Sequence, residues 1–334
     1  MARMKIEFLH QRKKRYGTSM RDRLIAFLPR YAPRVASVRR LINFSTHVPF
    51  IAPIMQRLTG FSAKRPLPTW CKPFSPPVPR AENIGSDGRD VVMFVDTFNT
   101  YFNPENTQAA FSVLNAANFR VHFATPTDDA RPLCCGRTFL AAGLIDQARF
   151  EAKRLLKALT PFVEKGIPVI GLEPACLLTF RDEIPAMNPC AETEALASHA
   201  LLFEEFLTQQ AERGLLNLPL QALPQKQALL HGHCHQKAFG VMDAVERVLR
   251  LVPELEVQTV ETSCCGMAGS FGYEAENFPI SMAMGELKLL PAVREASENT
   301  LIVADGSSCR EQIRDGAGRE AWHVARVLNA ARIH

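Results

Sequence analysis

The sequence contains no Cys-x-x-Cys pair, although nine cysteines occur in its 334 residues. That spacing is the usual knuckle of a zinc site, and its absence argues against an ordinary zinc fold. The odd count, in a chain too large for a disulfide scaffold, points instead to a reducing compartment and ligating thiols. No apolar run approaches the roughly 18 residues of a membrane span. Acidic residues are almost missing at the start, where residues 1–65 hold 15 Lys and Arg against Glu7 and Asp22 alone. This segment carries +13 and the remaining 269 residues −8, within an overall +5. The basic excess therefore belongs to one segment and does not mark the globular body as a nucleic-acid binder. No aromatic-rich basic motif accompanies it. The 47% apolar and 22% charged fractions fit a soluble protein with room for two cores.

Residues 2–29 show helical spacing, and 36–59 predict one or two further helices broken at Pro49 and Pro53. The segment 1–65 reads as a basic helical arm docking against an acidic neighbour, in preference to a transit peptide or a helix on an anionic membrane. Six prolines follow within residues 66–79, so 66–89 is expected to be an extended linker in which Cys71 is a plain thiol. An alternation of strands and helices begins at Asp90. Strands are expected at 91–95, 120–124 and 167–171, with helices over 106–117 and 139–165. A second set of strands, at 228–231, 257–260 and 300–304, comes with helices over 241–251 and within 280–296. This order predicts an α/β fold with a parallel sheet in each half. The halves span 90–190 and 226–334, joined by a helical connection at 191–225.

What the chain does possess is Cys-Cys-Gly twice, at Cys134-Cys135-Gly136 and Cys264-Cys265-Gly266. Two adjacent thiolates leave one turn together, and glycine lets the backbone approach inorganic sulfide without a Cβ clash. Ligands gather at the carboxyl ends of strands in such sheets. Cys234, Cys264, Cys265 and Cys309 each follow an expected strand of the second half, so four thiolates would meet at one edge. Four thiolates suit a 4Fe-4S cluster, zinc being the competing metal and buried inert cysteines the third reading. The first half supplies only Cys134, Cys135 and Cys176, because Asp96-Thr97-Phe98-Asn99 stands where Cys234 stands in the second. Its three thiolates would need a non-cysteine fourth ligand, or the site is a degenerate copy. His231, His233 and His235 alternate around Cys234 and would point one way if extended. Hydrogen bonding to cluster sulfur suits His233 and His235 better than direct ligation. The glycines of residues 266–272, Gly266 and Gly269 among them, read as backbone packed around a cluster rather than as a phosphate cradle.

At these residues the chain resembles the CCG (cysteine-rich) domain family. That family includes a cysteine-rich component of heterodisulfide reductase and the iron–sulfur subunits of glycolate oxidase and anaerobic glycerol-3-phosphate dehydrogenase. It also includes the C-terminal part of FAD-linked oxidases of the D-2-hydroxyglutarate and D-lactate dehydrogenase type, which His231–Gln236, Ser263–Gly272 and Asp305–Arg310 resemble most. The resemblance covers about residues 90–330, while Met1–Arg23 resembles the segment that follows a ferredoxin-like motif in the full-length oxidases. Three family cysteines are missing here: the first of repeat one, and those replaced by Glu173 and Gly306. What the resemblance implies is an iron–sulfur electron-transfer module with Cys234, Cys264, Cys265 and Cys309 as ligands. It implies FAD on a missing or separate domain, ferredoxin-like and FAD-binding partners, and a quinone or carrier protein as acceptor. The chain would then be the C-terminal third of a larger flavoprotein, cut or separately encoded. It would be incomplete as a catalyst alone and cytoplasmic, with membrane contact at most peripheral, at the inner membrane. A heterodisulfide-reductase-like thiol reductase and a zinc-stabilised interaction module are the alternatives.

Overall fold

The computed structural model describes residues 2–46, 51–77, 88–128 and 131–333. Two four-stranded sheets form, each wholly parallel. The first has β1 (Arg89–Met93), β2 (Phe119–Phe123), β3 (Val169–Gly171) and β4 (Ala200–Leu202) in the order β2-β1-β3-β4. The second repeats it with β5 (Gln227–Leu230), β6 (Glu256–Thr259), β7 (Leu301–Val303) and β8 (Ala321–Trp322) in the order β6-β5-β7-β8. The six expected strands all form, displaced by one or two residues at their ends. Val91-Val92-Met93 and Leu301-Ile302-Val303 are buried throughout because helices cover both faces of a central strand. The edge strand β6 alternates exposed and half-buried residues.

Three expectations need correction. The stretch read as a helical connection contributes β4, which pairs with β3 between the helices Ala191–His199 and Phe203–Glu212. Residues 139–165 form two helices, Arg137–Ala141 and Ile145–Val163, broken at Gly143 with φ +70°. A Cβ there would lie 2.6 Å from Leu9 Cβ, so the break is where the arm packs. Residues 280–296 likewise divide into Phe278–Glu286 and Leu289–Glu295.

The two repeats share their largest core. The helix leading into the second strand of each repeat packs on the last helix of the other: Pro104–Ala116 on Val324–Ala331, and Met242–Leu249 on Phe203–Glu212. Val91, Met93 and Ile170 from one sheet and Leu230 and Val303 from the other close over this layer. The opposite face of each sheet carries its own core, and the cysteines lie within it: Cys134, Cys135 and Cys176 in the first, Cys265 and Cys309 in the second.

The basic arm docks on the body of its own chain. Its helices are Ala2–Tyr16, Met20–Ala26, Leu28–Ser37, Arg39–Thr46 and Ile51–Thr59. Pro53 sits in the first turn of the last helix, where proline is tolerated, and Pro49 lies outside the described residues. Arg30 pairs with the fully buried Glu151 of the first repeat, and Arg21 with Glu274 and Glu276 of the second. Phe27 meets Phe139 edge-on at 5.2 Å. In the linker, Trp70 packs on Phe102 with the rings tilted at 51°, Cys71 points its thiol at the Phe102 carbonyl at 3.3 Å, and Phe74 N–H donates to the Thr100 carbonyl. No helix among the described residues is long and apolar enough to cross a membrane.

Candidate metal centre

All cysteines singled out in the second repeat sit at the carboxyl edge of its sheet. β5 runs on in extended form to His233, which caps the helix Cys234–Ala238 with its side chain, so Cys234 is the first helical residue. The loop after β6 turns at Gly266, whose φ is +92° and whose added Cβ would lie 2.2 Å from the Ser281 carbonyl oxygen. Only glycine makes that turn. Its N–H donates to the Cys264 sulfur at 3.3 Å, and Gly136 N–H donates to Cys134 at the same distance in the first repeat. After β7, Gly306 caps the helix Ser307–Ala317, which carries Cys309 at its third position. A Cβ on Gly306 would lie 2.4 Å from His233 Cδ2 and 3.3 Å from the Cys309 sulfur. The site has no room for a cysteine where the family pattern has one.

The structure brings these groups together. Cys265, Cys309 and His231 place ligand atoms within 4.8 Å of one another, all buried. Lys237, whose ammonium donates to Thr262 Oγ1 at 2.9 Å, is lowered first by burial, and ionised sulfurs at Cys309, Cys234, Cys264 and Cys265 would pull it back up. Cys234 itself groups most tightly with His233 and His235. Cys234 is the exposed member of the set. The three histidines do not point one way, because the chain turns into a helix at Cys234. His231 Nδ1 meets Thr262 Oγ1 at 3.0 Å, and its Nε2 is buried without a partner. His233 and His235 stack at 5.2 Å. Burial, and then Lys237, pushes His231 down to about 3, while burial followed by Arg137 pushes His235 down to about 4. Both rings are neutral at pH 7 and hold a lone pair for a metal or one N–H for a sulfur.

The thiols are held up. Cys264 is raised by Cys265 and by burial. At Cys265 the lowering effect of Cys264 is outweighed by Cys309 and burial. Such crowding opposes several negative sulfurs in one pocket, and a cationic core reverses that logic by turning repulsion into ligation. Four thiols, inward amides and an orphaned imidazole nitrogen fit an iron–sulfur group. Gly269 also has positive φ, +68°, and a Cβ built there would meet nothing within 4 Å.

In the first repeat Asp96 caps the helix Thr97–Tyr101 as His233 caps its own, so Thr97 is the counterpart of Cys234. Cys134, Cys135 and Cys176 are buried together, and Cys176 is pushed up to about 12, burial outweighing the lowering effect of Cys135. Asp96 spends both carboxylate oxygens on Phe98 N–H, Asn99 N–H and the Asn99 amide. Glu173, in the position of Gly306, accepts from Ser307 N–H at 2.8 Å across the repeat boundary. Sequence reasoning missed Arg137, Lys237 and Arg65. Each lies near a cysteine turn in space, and only its place after Cys-Cys-Gly could have flagged Arg137.

Residues 228–314 match the family model for the cysteine-rich domain called CCG. The second repeat is a CCG domain. One component of the anaerobic glycerol-3-phosphate dehydrogenase of Escherichia coli (strain K12) is 31% identical over 244 residues, 72% of this chain and 59% of its own length. The D-2-hydroxyglutarate dehydrogenase of Escherichia coli (strain K12) is 23% identical over 335 residues, 96% of this chain but 31% of its own length. Lactate utilization protein A 2 of Bacillus cereus (strain Q1) is 21% identical over 251 residues, 71% of this chain and 97% of its own length. The chain with this CCG domain thus spans little more than half of the first relative and under a third of the second.

Proposed function

We propose that the chain is an iron–sulfur electron-transfer module of a flavin-linked 2-hydroxy-acid dehydrogenase of the D-2-hydroxyglutarate, D-lactate or glycolate type. The observation that carries this is the buried cluster of Cys265, Cys309 and His231, at the sheet edge where Cys234 and Cys264 also emerge. Names of the relatives as dehydrogenases or as a lactate utilization protein support the oxidoreductase reading. A bound 4Fe-4S group would supply one-electron steps between a flavin on a partner domain and an acceptor such as a quinone or carrier protein. This chain's own residues would hold it by four thiolates, direct Gly266 N–H at the Cys264 sulfur, and exclude water with Met267 and Ile313. The three thiols of the first repeat make a weaker second site.

Anaerobic reconstitution with iron and sulfide tests the reading. The wild-type chain is expected to gain thiolate-to-iron absorption and about four irons and four sulfides per centre. Cys264→Ser is expected to bleach that absorption and release the matching iron. Stoichiometric zinc without sulfide, or unchanged colour in the variant, removes the proposal. Reduction of the reconstituted centre by a D-2-hydroxy acid only when a flavoprotein partner is added would support the place in the electron path.

A further inference from the structure

Arg137 follows the Cys-Cys-Gly turn of the first repeat, where its backbone N–H donates to the Cys135 sulfur at 3.4 Å. Its side chain leaves that repeat. Nη1 pairs with the buried carboxylate of Glu183, and Nη2 lies 3.0 Å from His235 Nε2 in the second repeat. A guanidinium has five donors and no acceptor. The imidazole nitrogen that faces it must therefore bear the lone pair, which places the ring proton on Nδ1. Nδ1 is the nitrogen 3.7 Å from the Cys234 sulfur. The other nearby ring cannot take this role from the same side. His233 Nδ1 lies 4.0 Å from that sulfur, but it accepts the His235 backbone N–H at 3.1 Å and so carries no proton there. Stacking of the two rings, with planes 19° apart, keeps His235 in place.

We infer that Arg137, anchored by Glu183, is a positioning residue that locks His235 as the Nδ1–H tautomer aimed at the Cys234 sulfur. A residue of the first repeat thereby sets the hydrogen bonding of a thiol in the second. The redox consequence rests on the iron–sulfur reading, whereas the tautomer is a property of the metal-free chain. An N–H bond to a ligating sulfur draws charge from it and favours the reduced centre. Without Arg137 the ring is free to take its proton on Nε2, the tautomer an unconstrained histidine prefers, and Cys234 loses its donor.

Nitrogen-15 NMR of the histidine-labelled, metal-free, full-length chain at neutral pH tests this directly, with the His235 signal assigned by its loss in His235→Asn. The wild type is expected to show His235 protonated on Nδ1 and bare on Nε2. Arg137→Gln is expected to shift it to Nε2–H or a mixture, and Glu183→Gln to shift it partway, which covers a poorly folded Arg137 variant. A wild-type ring protonated on Nε2, or one that stays Nδ1–H in a folded Arg137→Gln chain, overturns the inference. After reconstitution, Arg137→Gln is expected to retain wild-type iron and sulfide while its midpoint potential falls. An unchanged potential overturns the redox part. A wild-type chain that takes up no iron counts against the electron-transfer reading alone, since the tautomer is read before metal is added.

Discussion

Glu173 shows how a single residue ties the two repeats to pH. Its carboxyl is pushed up to about 7, first by burial and then by Asp96, while Arg310 and the N–H of Ser307 pull the other way. Below about 4.5 the group is protonated in folded and unfolded chains alike and its stabilising contribution is fully present. As pH rises, the unfolded chain ionises first and gains, so stability falls through the window from about 4.5 to about 7. Glu173→Gln keeps a neutral acceptor for Ser307 N–H and removes the titration. In chemical denaturation of the metal-free chain, the wild type is expected to lose roughly 3 kcal/mol relative to the variant across that window. A difference that stays flat with pH would refute the buried carboxyl. His231 and His235 titrate in the opposite sense, since both are held neutral, and the comparison with Glu173→Gln cancels them.

At the scale of elements, the arm is joined to the Cys-Cys-Gly loop of the second repeat by one buried cation. Arg65 is 3% exposed; its guanidinium donates to Met267 Sδ at 2.6 Å and Gln312 Oε1 at 2.7 Å and lies 3.6 Å from Asp315. The chain just before it pairs with the same loop, Ser62 N–H donating to the Tyr273 carbonyl at 2.7 Å. Arg65→Ala would leave the buried Gln312 Oε1 without its donor and Asp315 with Arg314 alone, at a cost of about 1–3 kcal/mol. The expected result is a lower denaturation midpoint and faster tryptic cleavage within residues 2–65, where Lys and Arg are dense. An equally protected arm in the variant would show that Arg65 does not fasten it. The helix break at Gly143 serves the arm's docking on the first repeat, where His10 Nδ1 meets the Gly143 carbonyl at 3.0 Å.

At the scale of the whole molecule, the largest core belongs to neither repeat alone. Leu328, fully buried on the last helix, packs in the layer that contains Val113, Leu114 and Phe206 of the first repeat. Leu328→Ala is expected to cost about 2–5 kcal/mol. Calorimetry of wild type and variant is expected to show one transition rather than two, shifted as a unit. Two separated transitions would mean that the repeats fold independently.

Much of this architecture was legible in the residues, and the reason is range. Apolar runs such as Val91-Val92-Met93, the doubled Cys-Cys-Gly turns and the spacing between them are local signals, and they mark six strands, their succession along the chain and the strand ends from which thiols emerge. The strands β4 and β8 were not legible, because three and two residues hold no periodicity and depend on a neighbour already in place. The partner of the basic arm was equally hidden, since charge shows that an acidic surface is wanted and not that the chain's own Glu151, Glu274 and Glu276 provide it.

By itself the sequence determined a repeated α/β chain, four cysteines at strand ends in its second half and a missing fourth thiol in its first. Tertiary structure alone decided that Gly306 leaves room for His233, that His231 is buried in one cluster with Cys265 and Cys309, and that Arg137 crosses from one repeat to reach His235. The physical reason is that strands and turns follow from short-range sterics and burial. Which side chain meets which across the repeat boundary follows from packing two sheets about a common layer of helices.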